Sequence, residues 1–339
     1  MLEFPFPKVE LHLHLDGSIP ARTWWRIAER DGVDMPVTDL DEFYPWLKKT
    51  SECGSVPEYL ERFDLPLQIM QDKGNISEIT ASLIDDLASK GYGYAEIRFA
   101  PQLHCRMGLT QRDAIEAVLE GREEALERNT NLGIGIITCA MSIGPETLNM
   151  QDNLETVRLA KEYLVRGVVA VDLAGCEGIV PLTNFHPVFD LCRELEVPYT
   201  IHAENPYDAV SVREVLGMGA RRIGHGHKLY DAPDLWQFAR DNRVTLEICP
   251  SSNIQCKTQP SYTAHPAKKL FDEGIRVTIS TDNTTLAAVT LEDEYRHCLD
   301  DMGFEYNDIV RMNIYAAEAA FMPDEKKAEL VGRLEKFLH

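Results

Sequence analysis

The residues best suited to metal chemistry near the start of the chain are two histidines, His12 and His14, separated by one leucine. They fall near the end of a short apolar run, residues 9–15, which predicts a β-strand. Side chains two positions apart on a strand point to the same side, so both imidazoles could bind one ion. Taken alone, such a pair is more often two hydrogen-bonded structural histidines.

Three further polar residues end other apolar runs of the sequence. His202 ends the run at 198–202, His225 lies within the motif IGHGH, and Asp282 lies within STDN. In a closed parallel barrel the C-terminal ends of all strands meet at one face, so these distant residues would converge with the histidine pair. Three imidazoles and one carboxylate suit Zn²⁺ and leave room for water, although iron, cobalt or manganese could occupy the same ligands.

The elements that would position these residues alternate regularly along the chain. Amphipathic helical patterns, for example at 112–128, 153–164 and 233–241, separate most of the apolar runs. This alternation predicts an α/β fold of the TIM (β/α)8 barrel type. A doubly wound open sheet is the competing architecture, but the first run is not followed by GxGxxG. The eight predicted strands are 9–15, 94–100, 133–141, 168–174, 198–202, 222–227, 244–249 and 276–280.

The length of 339 residues and the 44% hydrophobic content are sufficient for one large core, so residues 1–339 are expected to form a single domain. Ser18 is predicted to cap a helix at 19–31 that ends at Gly32. The following segment, about 33–74, is too long for an ordinary loop and carries helical patterns such as 56–64. We therefore expect a helical insertion after the first strand that covers the barrel mouth as a lid.

The charge and cysteine content limit the possible partners and location. With 55 acidic against 34 basic residues, the formal net charge of −21 argues against binding nucleic acid and favours a small substrate that is not polyanionic. The eight cysteines form no CxxC motif and several lie in apolar runs, which indicates reduced core residues and a cytoplasmic protein. No signal peptide and no long apolar segment are apparent, so no membrane association is expected. The sequence does not indicate an oligomeric state.

Six segments resemble, in order and spacing, those of the adenosine deaminase family, which belongs to the metal-dependent amidohydrolase superfamily. The similarity runs over almost the entire chain, and six segments in register make chance similarity implausible. The segments are PKVELHLHLDGS (7–18), VDLAG (171–175), RIGHGHKL (222–229), LEICPSSN (246–253), STDN (280–283) and MNIYAAEAAFMPDEKK (312–327).

This resemblance implies a specific reaction and a specific ligand set. The reaction would be zinc-dependent hydrolytic deamination of adenosine or deoxyadenosine to inosine or deoxyinosine, with release of ammonia. One Zn²⁺ per chain would be bound by His12, His14, His202 and Asp282. His225 would orient and deprotonate the attacking water, whose pKa the metal lowers toward neutrality.

The resemblance also implies substrate contacts. Gly175 would donate its backbone N–H to ring N3, and Asp16 would bind a ribose hydroxyl, which favours a nucleoside over a free base. Asn283 replaces a second aspartate of many relatives, and its amide could donate to N7. Tyr59 and Phe63 resemble residues of the lid helix over the apolar part of the pocket, although such a pair could equally pack into a core.

One motif departs from the family pattern. The usual HAGE segment, whose glutamate donates a proton to purine N1, is replaced here by the residues HAEN, and Asn205 occupies the glutamate position. An amide cannot serve as an acid at neutral pH, so we predict Glu204 as the general acid. Because Glu204 lies one residue earlier, this role requires a remodelled loop. A solvated loop carboxylate is the alternative.

This departure keeps other functions open. The chain could deaminate a related aminopurine such as adenine, aminodeoxyfutalosine or an N6-substituted adenosine. It could also be a metal-containing purine-binding protein with weak turnover. Nucleotide monophosphates are disfavoured because no basic cluster accompanies the motifs. A zinc deaminase of the cytidine type is disfavoured because PCxxC is absent.

The remaining histidines carry less information. His227 lies close to His225 and is left without a role. The others are expected at the surface or as caps of turns and helices: His104, His186, His265, His297 and His339.

Overall fold

The computed structural model describes residues 4–143, 148–175, 180–205 and 208–339. The strands form two four-stranded sheets, β1 to β4 and β5 to β8, and within each sheet every strand pairs in parallel with the next. The strands are β1 (Lys8–His14), β2 (Tyr92–Phe99), β3 (Gly133–Ser142), β4 (Val168–Gly175), β5 (Ile201–Ala203), β6 (Arg222–His225), β7 (Thr245–Ile248) and β8 (Arg276–Ile279). All eight overlap the strands predicted from the apolar runs.

Two bridges between the sheets close the barrel. Val171 of β4 pairs in parallel with Tyr199, and Leu13 of β1 pairs with Asp282 just beyond β8. At the second seam the His14 N–H donates to the Asp282 carbonyl oxygen over 2.8 Å. The predicted (β/α)8 barrel is therefore confirmed, and the second seam includes the predicted site residues His12, His14 and Asp282.

Helices surround the barrel and connect its strands. Their inner faces bury aliphatic side chains against the strands, as the amphipathic patterns predict. Outside the insertion they are α1 (Ala21–Asp31), α5 (Lys73–Ser89), α6 (Gln111–Arg128), α7 (Met150–Tyr163), α8 (His186–Glu194), α9 (Val210–Gly217), α10 (Trp236–Asp241), α11 (Pro250–Gln255), α12 (Ala267–Asp272), α13 (Leu291–Asp300), α14 (Tyr306–Ala319) and α15 (Asp324–Leu334).

The insertion between β1 and β2 is helical, as expected for residues 33–74. It contains α2 (Leu40–Thr50), α3 (Val56–Glu61) and α4 (Asp64–Ile69). The helix predicted at 56–64 is split, since α3 ends at Glu61 and α4 begins at Asp64. Side chains of α3 and α4 line the cavity at the barrel mouth. The assignment of residues 1–339 to one domain stays a prediction.

The predicted start of α1 is wrong, whereas its end is confirmed. Residues Asp16–Ser18 form a separate 3₁₀ turn, and α1 begins at Ala21. Ser18 does not cap α1; its hydroxyl accepts from the Thr284 N–H over 3.1 Å and ties the turn to the segment after β8. Gly32 ends the helix with φ 68°, a left-handed conformation that glycine adopts without strain.

Two further sequence-based expectations can be compared with the structure. The seven described cysteines are free and six of them are buried, whereas Cys176 lies outside the described residues. No helix of the described part is long and apolar enough to span a bilayer. Of the two roles expected for His104 and His265, the surface position is wrong because both are buried, but His265 Nδ1 accepts from the Ala267 N–H at the start of α12, as a capping residue does.

Candidate active site

The four predicted metal ligands meet at the C-terminal end of the barrel. His12 and His14 end β1, His202 lies on β5, and Asp282 follows β8. Asp282 Oδ1 lies 3.5 Å from His12 Nε2 and 3.4 Å from His14 Nε2. The ring of His202 packs against that of His12, with centroids 4.6 Å apart. Residues up to 270 positions apart in the chain therefore share one small volume.

The geometry of this cluster fits a divalent cation. Two ligand atoms about 2.1 Å from one tetrahedral ion would lie about 3.4 Å apart, close to the separations between Asp282 and the two β1 histidines. His12 Nε2 is buried and has no hydrogen-bond partner in the described structure, which a coordinated ion would supply. Two overlapping ligand groups are possible: His12 with His14 and Asp282, and His12 with His202 and His225. Proximity alone therefore does not separate His225 from the ligands.

Buried carboxylates orient two of the imidazoles. Glu247 Oε2 lies 2.9 Å from His12 Nδ1, and Asp172 Oδ2 lies 2.9 Å from His202 Nδ1. Arg98 bridges the two acids, with 2.8 Å to Asp172 Oδ2 and 2.7 Å to Glu247 Oε2. The hydrogen bond with Glu247 holds the proton of His12 on Nδ1 and leaves its Nε2 available to a metal, whereas Asp172 lies at ion-pair distance from His202 without hydrogen-bond geometry.

The charges of these groups follow from burial and neighbouring ions. Burial opposes ionisation of Asp172 and Glu247, but arginines and histidines around them outweigh it and hold the pKa of both carboxyls well below the ordinary range. Burial lowers the pKa of His14 and His225 far below 6.5, so both rings are neutral near pH 7. Neutral imidazoles and ionised acids are the forms that metal binding requires.

The backbone at two of these positions is strained. His225 and Asp282 have φ angles of 56° and 61°, in the left-handed region that residues with a Cβ rarely adopt. Such strain is typical of functional sites, where it places a side chain that regular structure would direct elsewhere. Beside His225, Gly224 leaves room for the ligands, since an added Cβ would lie 3.0 Å from His12 Cε1.

A cavity of about 340 Å³ lies directly above the cluster. All predicted site residues except His12 line this cavity, and His12 is fully buried beneath it. The lining residues from the predicted site are His14, Asp16, Gly175, His202, Glu204, His225, Asp282 and Asn283.

The residues predicted to contact substrate are buried or closely packed. Burial raises the pKa of Asp16 to about 7, and its Oδ1 accepts from the Gly17 N–H over 3.1 Å. Asn283 packs on Gly17 so closely that a Cβ there would meet Asn283 Oδ1 at 1.6 Å. Gly175 has φ 112°, and a Cβ would lie 2.6 Å from the Ser142 carbonyl oxygen. Glycine is therefore required at both positions.

Glu204, rather than Asn205, is among the residues that line the cavity. Its Oε1 accepts from Asn253 Nδ2 over 3.0 Å and from Thr258 Oγ1 over 3.4 Å. Its Oε2 lies 3.4 Å from His225 Nε2. The loop after β5 thus brings the earlier carboxylate to the site, as the role predicted for Glu204 requires.

Both alternatives for the lid aromatics are realised together. Tyr59 and Phe63 line the cavity, and the Phe63 ring lies 6.4 Å from that of His14, centroid to centroid. The same two rings contact each other in an edge-on arrangement and pack with Cys53 and Cys256 in a small apolar cluster. The pair therefore fixes the insertion on the barrel while forming the apolar wall of the cavity.

The sequence profile of the adenosine deaminase family matches residues 7–337. This chain belongs to the adenosine deaminase family. Among curated relatives, an adenosine deaminase from Haemophilus ducreyi is 34% identical over 331 residues, covering 97% of this chain and 95% of the relative. One from Clostridium acetobutylicum is 36% identical over 330 residues, covering 97% of both chains. The chain is therefore an amidohydrolase-type deaminase of adenosine-like substrates.

Solved structures agree on the fold. An adenine deaminase from Arthrobacter aurescens is similar with a TM-score of 0.87 at 20% identity, covering 98% of both chains. An N6-mAMP deaminase from Arabidopsis gives 0.84 at 25% identity, also covering 98% of both chains. An amidohydrolase from Burkholderia ambifaria with bound Zn gives 0.86 at 20% identity, covering 98% of this chain and 90% of that chain.

Several residues of this deaminase site were not identified from the sequence. Arg98, Asp172 and Glu247 stand inside otherwise apolar strand segments, and a buried charge in such a segment is a signal of a partner. Ser252, whose hydroxyl donates to Asp282 Oδ2 over 2.6 Å, and Asn253 lie in the family-like segment LEICPSSN. The segment resembles the family, but the sequence alone indicates no role for these two residues.

Proposed function

We propose that this deaminase hydrolyses adenosine and deoxyadenosine to inosine and deoxyinosine, releasing ammonia, with one Zn²⁺ per chain. The observation that carries the proposal is that a metal-ligating cluster and the Glu204 carboxylate face the same cavity. Curated relatives named adenosine deaminase at 34% and 36% identity support the substrate. The free cysteines of the described residues suit the reducing cytoplasm, which we propose as its location.

The donor set favours zinc. His12, His14, His202 and Asp282 offer imidazole nitrogens and a carboxylate oxygen, a set that suits Zn²⁺. The bound Zn in the structurally similar Burkholderia amidohydrolase supports this choice. When bound, the ion would lower the pKa of water so that a nucleophile is available near neutral pH.

Two residues of the chain would handle the substrate's reacting ring. Glu204 would donate a proton to purine N1, which makes C6 more electrophilic toward water. Its Oε1 is held by Asn253 and Thr258, so we assign the proton to Oε2. His225, whose Nε2 lies 3.4 Å from that oxygen, would orient the attacking water.

Three residues would select the nucleoside. Asp16 would bind a ribose hydroxyl, Gly175 would donate its N–H to N3, and Asn283 would donate its amide to N7. The positions of all three in the cavity lining, and the absence of a Cβ at Gly175, support these roles. A buried acceptor that needs a hydroxyl partner discriminates strongly against an analogue without one, so free adenine would be a poor substrate.

The charge of the cavity favours a nucleoside over a nucleotide. Among the described lining residues, Asp16, Asp64, Glu204 and Asp282 are acidic, whereas Arg106 alone carries a guanidinium. Apart from the metal site, a 5′-phosphate would therefore find Arg106 as its one cationic side chain in the described lining. We expect adenosine to exceed AMP in kcat/KM by at least about 100-fold, which corresponds to about 3 kcal/mol.

A spectrophotometric screen tests the function. Zinc-loaded protein is mixed with adenosine, deoxyadenosine, adenine, AMP, N6-methyl-AMP and aminodeoxyfutalosine, and the ultraviolet change on deamination is followed. The proposal predicts turnover of the first two as the preferred substrates. Preference for any of the other four would contradict it, as would thermal stabilisation by adenosine without turnover, which would indicate a purine-binding protein.

A further inference from the structure

One buried amide, Asn253 on α11, connects the two residues that we assign to catalysis. Its Nδ2 lies 3.0 Å from Glu204 Oε1 and 3.0 Å from His225 Nδ1. Its Oδ1 lies 3.2 Å from Nε2 of His265, which is also buried. The side chain of Asn253 is itself fully buried, so protein groups rather than solvent set its orientation.

A backbone amide fixes the direction of these hydrogen bonds. The Ala267 N–H, at the start of α12, donates to His265 Nδ1 over 3.2 Å, and a backbone N–H can only donate. Burial lowers the pKa of His265 to about 3, so the ring is neutral and carries one proton. That proton must lie on Nε2, and it is donated to Asn253 Oδ1. The amide oxygen therefore faces His265, and the NH₂ group faces Glu204 and His225.

The orientation of Asn253 determines the tautomer of His225. With its two hydrogens Asn253 donates to Glu204 Oε1 and to His225 Nδ1, so Nδ1 must hold a lone pair. An imidazole ring that accepts a hydrogen bond at Nδ1 is the neutral form. Its single proton then lies on Nε2, the nitrogen that lies 3.4 Å from Glu204 Oε2.

We propose that Asn253 is a positioning residue that holds the Glu204 carboxylate in the cavity and fixes His225 as an Nε2–H donor. A protonated Nε2 can neither bind a metal ion nor accept a proton. This separates His225 from the possible ligands and leaves His12, His14, His202 and Asp282. It also revises the role implied by the family resemblance: His225 donates a hydrogen bond to the attacking water, and Glu204, ionised once it has given its proton to N1, accepts the proton of the water. The effect of this positioning on catalysis rests on the proposed function.

The same amide accounts for the altered HAEN loop. Glu204 reaches the site from a position one residue earlier than the family's glutamate, and its Oε1 is anchored by Asn253 and Thr258. Both anchors lie in or just after α11, a different part of the chain from the loop itself. These hydrogen bonds therefore hold the Glu204 carboxylate in the cavity although it lies one residue earlier in the loop.

The tautomer can be measured directly on the unchanged protein. Long-range ¹H–¹⁵N correlation spectra of zinc-loaded protein labelled with ¹⁵N-histidine distinguish protonated from unprotonated ring nitrogens, and His225→Gln identifies the signals of His225. We expect protonated Nε2 and unprotonated Nδ1. A His225 ring protonated on Nδ1 would overturn the proposal.

The matched variants are Asn253→Asp and Gln255→Glu, two amide-to-acid exchanges on α11. Asn253→Asp places an acceptor against Glu204 and His225; we expect the His225 proton to move to Nδ1 and kcat to fall at least about 100-fold, with KM changed less than about threefold. Gln255 donates to the Ala287 carbonyl outside the network, so Gln255→Glu is expected to keep the parental tautomer and kcat. Asn253→Asp with the parental tautomer and kcat, or an equal loss of kcat in both variants, would overturn the proposal.

Different results would contradict the proposed function and the proposed positioning role of Asn253. If no purine is deaminated, the proposed function fails, yet the spectrum of the unchanged protein still reports the tautomer. If adenosine is deaminated while His225 carries its proton on Nδ1, only the positioning proposal fails. Should Asn253→Asp not fold, the spectrum of the unchanged protein alone decides.

Discussion

A carboxylate displaced by one residue distinguishes the site of this deaminase from the HAGE pattern. At the residue scale the structure explains how the displacement is tolerated, because Glu204 lines the cavity and is anchored at Oε1. Sequence reasoning could predict that Glu204 is the nearest acid to the lost position. It could not predict the anchors Asn253 and Thr258, which lie 49 and 54 residues away along the chain.

Glu204→Gln tests the proton donor. The amide keeps the size of the side chain and can accept the Asn253 hydrogen bond, but it cannot transfer a proton. We expect kcat for adenosine to fall about 10²- to 10⁴-fold with KM nearly unchanged, measured by steady-state kinetics. Asn205→Ala is the control and should retain near-parental kcat. Near-full activity in Glu204→Gln would remove the residue from this role.

The proximity of the four proposed metal ligands was predictable for a physical reason that the supporting residues lack. A polar residue at the C-terminal end of a barrel strand faces a common site whatever its sequence distance, so His12, His14, His202 and Asp282 could be grouped. His265 lies in a loop before α12. A loop has no helical or strand repeat from which the direction of a side chain could be predicted. The buried contact of His265 with Asn253 depends on side-chain packing that spacing does not encode.

At the scale of elements, the short helix α11 carries Ser252 and Asn253 into the site and is held from behind by Glu294. The Ser251 N–H at its first turn donates to Glu294 Oε1 over 3.1 Å. Glu294 is fully buried, its Oε2 has no hydrogen-bond partner among the described residues, and burial raises its pKa to about 8.

Glu294→Gln should stabilise the fold in alkaline solution. The unfolded chain releases the carboxyl proton near its ordinary pKa of 4.5, whereas the folded protein holds it up to about pH 8. Ionisation therefore favours the unfolded chain increasingly as pH rises between these values, and glutamine removes this cost. By calorimetry we expect little difference in Tm from the parent at pH 5 and a gain of a few degrees at pH 8.

The control for this prediction is Asp300→Asn, which changes an exposed carboxylate on α13, the helix that contains Glu294. Its effect on Tm should be small and equal at the two pH values. A Glu294→Gln protein less stable than the parent at pH 8 would show that the ionised carboxylate stabilises the fold.

The inserted helices form the apolar wall of the cavity, and Phe63→Ala tests their contribution to binding. Removing the ring forfeits up to about 2 kcal/mol of apolar contact with a bound purine, so KM for adenosine should rise about 10-fold. Because Phe63 takes no part in proton transfer, kcat should change less than about threefold. Tyr44→Ala, which removes an aromatic ring that is 48% exposed on α2, is the control and should leave KM unchanged. An unaltered KM in Phe63→Ala would show that the wall does not contact substrate.

Most elements, but not all helix boundaries, could be predicted from the sequence. The insertion and all eight strands could be located because their apolar patterns persist over several residues. The start of α1 could not, because Ser18 has the composition of a cap but hydrogen-bonds to Thr284, 266 residues away. Because Ser18 makes this tertiary hydrogen bond instead of capping the helix, α1 begins at Ala21 rather than at residue 19.

On the scale of the whole molecule, closure of the barrel creates the site. The seam between β1 and the end of β8 places Asp282 beside both β1 histidines, and the backbone hydrogen bond from His14 to Asp282 is part of that seam. A divalent ion at this point would bind the folded chain in preference to the unfolded one and would raise its Tm. Fold, metal affinity and activity are therefore expected to depend on one another.

The most direct test of the account is a metal titration of activity. Protein stripped with a chelator is supplied with increasing Zn²⁺, and the rate of adenosine deamination is recorded after each addition. We expect negligible turnover without metal and a rise that reaches its plateau at one equivalent per chain. Full adenosine deamination by the stripped protein, or none at one equivalent of Zn²⁺, would contradict the account.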